Sequence, residues 1–153
     1  AEIRQFFDKT LLLAGCINHG EQVLAAQLLG ADLAYMGTRF IATQESQAPS
    51  AYKNMLIEAQ AADIIHTPAV SGIPASFLRQ SLEQAGYDLA SLKSSHEQAR
   101  LKPLDEEAKA WKTVWSAGQG VGEIHDLPTT QALIERLHDE YRQAVARTRQ
   151  LPL

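Results

Sequence analysis

Cysteine occurs once, at Cys16, in the 153-residue chain. No intrachain disulfide can form, nothing calls for an oxidising compartment, and a cytoplasmic setting is expected. Long apolar runs are also missing. The uninterrupted run from Leu11 to Ala14 is far too short to cross a bilayer, and the start lacks the basic-then-apolar layout of a signal peptide. No membrane partner is expected. Positive charge is scarce as well: 14 Lys and Arg stand against 18 Asp and Glu, a formal net charge of −4. Without a broad basic field, no nucleic-acid partner is expected. His66, His96, His125 and His138 have no metal-ligand spacing, so no metal site is expected. There is neither an internal repeat nor a low-complexity tract. An initiator methionine is lacking, and Ile3, Phe6 and Phe7 already fall at helical spacing, so the chain reads as beginning inside a helix.

What is present is 45% apolar composition, enough for one domain with a real core. Two strand-like runs stand out, Thr10 to Gly15 and Asp32 to Met36. The first is apolar on both faces, as a buried parallel strand should be. Between them, Glu21 to Leu29 reads as a helix ending at Gly30, with Val23, Ala26 and the Leu28–Leu29 pair facing a sheet. A strand, a helix and a second strand in so few residues predict a right-handed βαβ unit. Each run meets a glycine, Gly15 and Gly37. Glycines let backbone amides approach an oxyanion, and a following helix start supplies further donors. A phosphorylated cofactor is the first expectation.

Downstream, Ser50 is expected to cap a helix through Ala62 with Tyr52, Met55, Leu56 and Ala59 inward. Ile64–Thr67 is a candidate strand. Ser71 to Pro74 is read as a turn opening a helix with Phe77, Leu78, Ser81, Leu82 and Ala85 on its apolar face, up to Gly86. Ser94 to Gln98 reads as solvated loop, Asp105 to Trp115 as a helix, and Ser116 to Gly122 as a second glycine-rich segment. Thr129 is expected to cap a last helix to about Arg149, with Leu133, Leu137, Tyr141 and Val145 along one side. Two parallel strands and one further candidate cannot close a barrel, and their edges would stay unpaired. Something else must complete the sheet.

At Leu13-Ala14-Gly15-Cys16-Ile17 and, above all, from Gly30 through Gly37-Thr38-Arg39-Phe40 to Ser46, the chain resembles the nitronate monooxygenase family, formerly called 2-nitropropane dioxygenases. Tyr52-Lys53, Asp63 to Thr67, Phe77 to Ser81 and Lys109 to Gly122 follow in that family's order. The resemblance covers nearly the whole chain but only the C-terminal half of a family member. It implies an α/β fold, the C-terminal portion of a TIM (β/α)₈ barrel that is itself incomplete, with a helical substrate-domain segment. The implied division is residues 1–46 as the barrel βαβ unit, 47–115 as the mostly helical segment and 116–153 as the glycine-rich return and last helix. It also implies an FMN cofactor, a small-molecule nitronate substrate and dioxygen. The two strands would be the seventh and eighth of the barrel, whose following loops commonly hold phosphate.

By this resemblance Gly15 and Cys16 give amides to the FMN phosphate, Gly37 and Thr38 give an amide and a hydroxyl, and Ser116 and Gln119 are candidates for contact with the flavin ring or substrate. Cys16 departs from the family's usual glycine or serine, which crowds the contact. The family's histidine near the flavin lies upstream of the matched region, so no catalytic residue is assigned. Arg39 is read as pairing with Glu45 or another acid rather than supporting phosphate. His19 could act as acid or base, though a solvated loop role is favoured. Cys16 is read as a small buried residue rather than a reactive thiol. Trp111 and Trp115 are read as packing rather than stacking on flavin. Two other functions compete: an FMN-dependent enoyl-carrier-protein reductase, against which the Trp111 to Gly122 segment argues, and a non-catalytic half-barrel module. For the missing strands, a homo-oligomer or completion by another chain is expected.

Overall fold

The computed structural model describes residues 2–70, 72–90 and 114–150. Ser71, the 94–98 loop, most of the helix expected at 105–115, and Trp111 lie outside the described residues.

Strand β1 (Leu12–Ala14) and strand β2 (Leu33–Tyr35) pair in parallel, Leu12 opposite Leu33, Leu13 opposite Ala34 and Ala14 opposite Tyr35. Helix α1 (Gly20–Leu28) makes the crossover. The βαβ unit is as expected, with each strand trimmed to three residues. Gly30, at φ +97°, turns the chain out of α1 in the left-handed region that glycine adopts without a Cβ clash. Its carbonyl accepts from Arg4 at 2.9 Å (Nε) and 2.7 Å (Nη2), and Arg4 also reaches Asp32 at 2.7 Å. Arg4 thereby docks the N-terminal segment. That segment is a single 3₁₀ turn, Ile3–Gln5, not a helix, and Phe6 is exposed.

Ala34 packs beside Ile17, Val23, Ala26, Ala31 and Met36, beneath α1. Side chains alternate along a strand, so Leu12, Leu33 and Tyr35 point away from α1. They are 51%, 53% and 61% exposed. The expectation of strands buried on both faces therefore fails for this face, because no described element lies over it. Leu28 and Leu29 are exposed too, contrary to expectation. At 100° per residue, the sheet-facing arc of α1 is taken by Val23 and Ala26, and Leu28 falls on the far side.

The last helix, α5 (Thr130–Thr148), starts where Thr129 accepts a hydrogen bond from the Ala132 amide at 3.2 Å. Leu133 and Ala144 are buried on the expected side, and Leu137, Tyr141 and Val145 are half-buried. This stripe lies along α1. The Tyr141 hydroxyl and Gln27 are 2.7 Å apart, and the Gly20 amide donates to Glu140 at 2.8 Å.

The larger core lies elsewhere. Helix α2 (Thr38–Ile41) and helix α3 (Ser50–Glu58) are followed by an antiparallel pair, β3 (Ile64–Thr67) with β4 (Ala75–Leu78), and by helix α4 (Arg79–Gln84). Helix α3 ends four residues short of Ala62, and Pro49 rather than Ser50 occupies its cap. Residues 75–78 form a strand, not the first turn of a helix. Pairing with β3 buries Phe77 and Leu78 completely, and only from Arg79 does helical spacing rule. Ala42, Met55, Leu56, Leu78, Val121 and Ile124 make one cluster, and Ile65, Val70, Phe77, Leu82 and Val114 another. Both include residues from after position 113, because residues 115–117 run beside β4: the Leu78 amide donates to the Trp115 carbonyl at 2.8 Å and Ser116 bridges Phe77.

A Cβ at Gly20 would overlap the Leu137 carbonyl and the Tyr141 amide, and would lie 2.7 Å from the Glu140 Cβ. Backbone cannot yield as a side-chain end can. Gly20→Ala is expected to cost about 3 kcal/mol by forcing α1 from α5, and urea denaturation showing a loss below about 1 kcal/mol would contradict this packing.

Candidate functional site

Because β1 and β2 are parallel, their C-terminal ends lie side by side, and a cavity of about 230 Å³ opens there. Its walls come from three places. The β1 end supplies Gly15, Cys16 and Asn18, the β2 end supplies Gly37 and Thr38, and the return segment supplies Gly118 and Gly120. Of the six residues singled out in the sequence, Gly15, Cys16, Gly37 and Thr38 are thus brought together. Ser116 and Gln119 are not among the walls, although Gly118 and Gly120 on either side of Gln119 are.

Gly15 and Cys16 are consecutive residues at positive φ, +110° and +52°. The first is open only to glycine, and the second is a left-handed conformation that a side chain rarely adopts. Cys16 is exposed and lines the cavity rather than being buried as expected. The turn that carries the chain from β1 to α1 swings its side chain outward. A Cβ built on Gly15 or Gly37 would meet nothing within 4 Å, so both glycines face open space.

The Thr38 hydroxyl accepts a hydrogen bond from the Gly118 amide at 3.0 Å. A hydroxyl has one hydrogen and two acceptor sites. With an N–H already donating to its oxygen, the hydroxyl hydrogen is left to donate to an acceptor. The next side chain goes the other way. Arg39 is buried, 3% exposed, and its Nη2 donates to the Ala42 and Asp126 carbonyls at 3.1 Å and to the Asp126 carboxylate at 3.2 Å. Burial pulls the guanidinium's pKa down and Asp126 opposes that. The acid paired with Arg39 is therefore Asp126, not Glu45. Glu45 instead accepts from the Thr130 amide at 2.8 Å and holds the start of α5, a bond that lowers its pKa.

His19 is not a freely solvated loop residue: it occupies the cap of α1, with Nδ1 3.5 Å from Glu140. It is not among the cavity walls. Tyr52 stacks on Trp115, ring centroids 5.1 Å apart and planes 14° from parallel, and its hydroxyl donates to the Ser116 carbonyl. Burial raises the Tyr52 pKa. Trp115 thus packs, as expected. Among the described residues no group of three His, Cys, Asp or Glu could hold a metal, and no helix is long and apolar enough to cross a membrane.

The wall residue Asn18 and its partners Gln22 and Glu123 are not marked by any local pattern in the sequence. Asn18 donates from Nδ2 to the Gly120 carbonyl at 2.9 Å and to Glu123 at 3.0 Å. Gln22 donates to the same carboxylate at 2.9 Å, while its Oε1 accepts from the Asn18 amide at 2.7 Å and the His19 amide at 3.1 Å. The density of glycine at 118, 120 and 122 was the only signal available. Asn18 carried none, since its partners lie over a hundred positions away.

The nitronate monooxygenase family profile matches residues 3–140. A nitronate monooxygenase of Paraburkholderia phytofirmans is 30% identical over 148 residues, 92% of this chain but 40% of its own length. Among solved structures, a nitroalkane oxidase from Streptomyces ansochromogenes superposes with a TM-score of 0.69 at 32% identity, covering 96% of this chain and 43% of the other. FabK from Thermotoga maritima superposes with a TM-score of 0.72 at 26% identity, covering 97% and 49%. The chain spans less than half the length of each of these relatives.

The amides of Asn18 and Gln22 stabilise the ionised form of Glu123 and hold its carboxyl below the ordinary 4.5. A folded-state pKa lower than the unfolded one contributes stability that is complete above the unfolded value and is lost as pH falls through the folded value. Wild type is therefore expected to lose stability below about pH 4.5 more steeply than Glu123→Gln. Parallel acid-unfolding curves for the two would remove Glu123 from the account.

Proposed function

This chain belongs to the nitronate monooxygenase family, and from that premise we propose that it is the C-terminal portion of an FMN-dependent (β/α)₈ barrel that oxidises alkyl nitronates with dioxygen. The family match carries the oxidoreductase class. In this reading β1 and β2 are the seventh and eighth barrel strands, and the protein acts in the cytoplasm. The observation that carries the site assignment is that Gly15 and Gly37 open on one cavity at the same end of adjoining parallel strands.

The cavity fits the phosphate end of such a cofactor. Its volume of about 230 Å³ falls below the roughly 300–1,000 Å³ of sites that enclose a whole small ligand, as suits an anionic terminus. The space that a Cβ at Gly15 or Gly37 would fill is open to an oxyanion, which the adjacent amides can reach. Gly15 and Cys16 would donate amides, Gly37 an amide and Thr38 its remaining hydroxyl hydrogen. Ser116 and Gln119 are proposed for the ring or substrate, because both lie within two residues of the wall residue Gly118.

When bound, FMN supplies the electron-transfer chemistry that turns a nitronate and dioxygen into a carbonyl compound and nitrite. The protein's part is orientation and charge stabilisation. Its fixed amides present positive dipole ends that need no reorganisation when the anion arrives. The alternative, an FMN-dependent enoyl-carrier-protein reductase, would use the same loops.

Gly37 has φ −105°, so a side chain there strains no backbone and acts on the ligand alone. Gly37→Val is expected to fold as wild type and to lose FMN on dialysis, with nitrite release from a nitronate lost in step. Undiminished flavin absorbance in the dialysed variant would refute the phosphate assignment. NADH-dependent reduction of an enoyl thioester in place of nitrite release would favour the alternative.

The exposed face of Leu12, Leu33 and Tyr35 would belong to the barrel interior. We propose that further strands cover it, by self-association or by another chain. Light scattering is expected to give a mass above 16.8 kDa or, for a lone chain, strong binding of a dye for apolar surface. A 16.8 kDa species that binds no such dye would contradict both routes.

A further inference from the structure

We infer that Asn18 is a positioning residue for the phosphate loop: with Gly120 and Glu123 it locks the return segment onto Cys16 and so fixes where the Gly15 and Cys16 amides point. This rests on the reading of the cavity as a phosphate site.

Asn18 is 5% exposed, and a buried side-chain amide must find partners for both its hydrogens. It does so on one segment: Nδ2 donates to the Gly120 carbonyl at 2.9 Å and to the Glu123 carboxylate at 3.0 Å. Gln22 closes a ring, reaching Glu123 with one end and the Asn18 amide with the other. Two elements far apart in sequence are thereby held by a circuit of hydrogen bonds through Asn18, Gln22, Gly120 and Glu123. Such circuits hold geometry better than isolated contacts.

The return segment can come this close only because position 120 is glycine. A Cβ there would lie 2.7 Å from Asn18 Nδ2 and 2.9 Å from the Cys16 Cα. Gly120 therefore sits against the residue in the left-handed conformation, φ +52°. A non-glycine residue stays in that region only where its surroundings over-determine it. Freed of Gly120, Cys16 would relax to negative φ, and the peptide units on either side would rotate. The donors aimed at the cavity would turn with them.

A purely structural role and a positioning role make different predictions. Asn18→Leu keeps the volume and removes both donors, and Glu123→Ala, at an exposed position, breaks the same circuit without touching the interior. Tyr141→Phe, which removes the bond to Gln27 between α1 and α5, is the control for general loosening. The chain has one thiol, so iodoacetamide alkylation of Cys16 reports the loop with no flavin present. Both lock variants are expected to alkylate several-fold faster than wild type and to lose about tenfold in their preference for FMN over riboflavin, the loss of roughly one charge-assisted hydrogen bond to phosphate. Tyr141→Phe should match wild type in both. Wild-type alkylation rates in the two lock variants would overturn the inference. So would faster alkylation with the FMN preference intact, which would make the contact structural only. A wild type with no preference for FMN would instead overturn the cofactor reading, and the alkylation rates would still decide whether Asn18 fixes the loop.

Discussion

Parallel pairing of two three-residue strands puts Gly15 and Gly37, 22 positions apart in the chain, at one edge of one small sheet. A parallel pair cannot be closed by a tight turn and needs a crossover, which here is α1. The register of β1 on β2 is therefore only as firm as the seat of α1. That seat has two parts: the small residues Val23, Ala26, Ala31 and Ala34 against the sheet, and the glycine contact of α1 with α5. The C-terminal helix thus governs a site to which it contributes no side chain among the cavity walls. Glu140, on α5, accepts from the amide that begins α1, immediately beyond the loop that carries Cys16 and Asn18.

The site lies where the molecule is least covered. Among the described residues, the two larger apolar clusters gather around α3, β3, β4 and the return segment, whereas the cluster beneath α1 has three buried residues, Ile17, Ala26 and Ala31. An exposed apolar strand face gives the βαβ unit little of the burial that stabilises a barrel strand. Apart from α5, what joins it to the better-packed half is the packing of Ile41 and Ala42 into the larger cluster and a set of polar contacts: Thr38 to Gly118, Asn18 to Gly120 and Glu123, Arg39 to Asp126. Each such bond contributes about 1 kcal/mol net. Their stronger effect is geometric, since each fixes the position of one backbone segment against another.

The parts legible in the sequence are those whose cause is local. Leu11 to Gly15 and Leu33 to Gly37 announce strand and glycine turn within a few residues, and Thr129 with the Leu133, Leu137, Tyr141 spacing announces α5. The misreadings have nonlocal causes. Phe77, Leu78, Ser81 and Leu82 satisfy helical spacing, yet the first two belong to a strand because β3 offers them an unpaired edge. The exposure of Leu12 and Leu33 depends on what lies above them, which no periodicity records. That Arg39 pairs with an acid is legible, but that the acid is Asp126 is not, since it depends on Glu45 being engaged at the start of α5. Asn18 carries no local signal, because Gly120 and Glu123 lie so far along the chain.

Cys16 and Gly120 are best understood as one feature. Their side chains would compete for the same space, a Cβ at 120 lying 3.3 Å from the Cys16 Cβ. The tighter contacts of such a Cβ, with Asn18 Nδ2 and the Cys16 Cα, keep position 120 glycine whatever side chain stands at 16. A glycine at 16 would adopt the left-handed turn freely and would need no neighbour to enforce it. A side chain there raises the energy of the turn, and close approach by Gly120, held by Asn18, offsets that cost. The left-handed turn at Cys16 is thus coupled to the packing of the return segment. Rigidity in the loop then comes from tertiary contact rather than from the freedom of glycine. Donors fixed in that way lose less entropy when an anion binds than donors on a mobile glycine turn would lose.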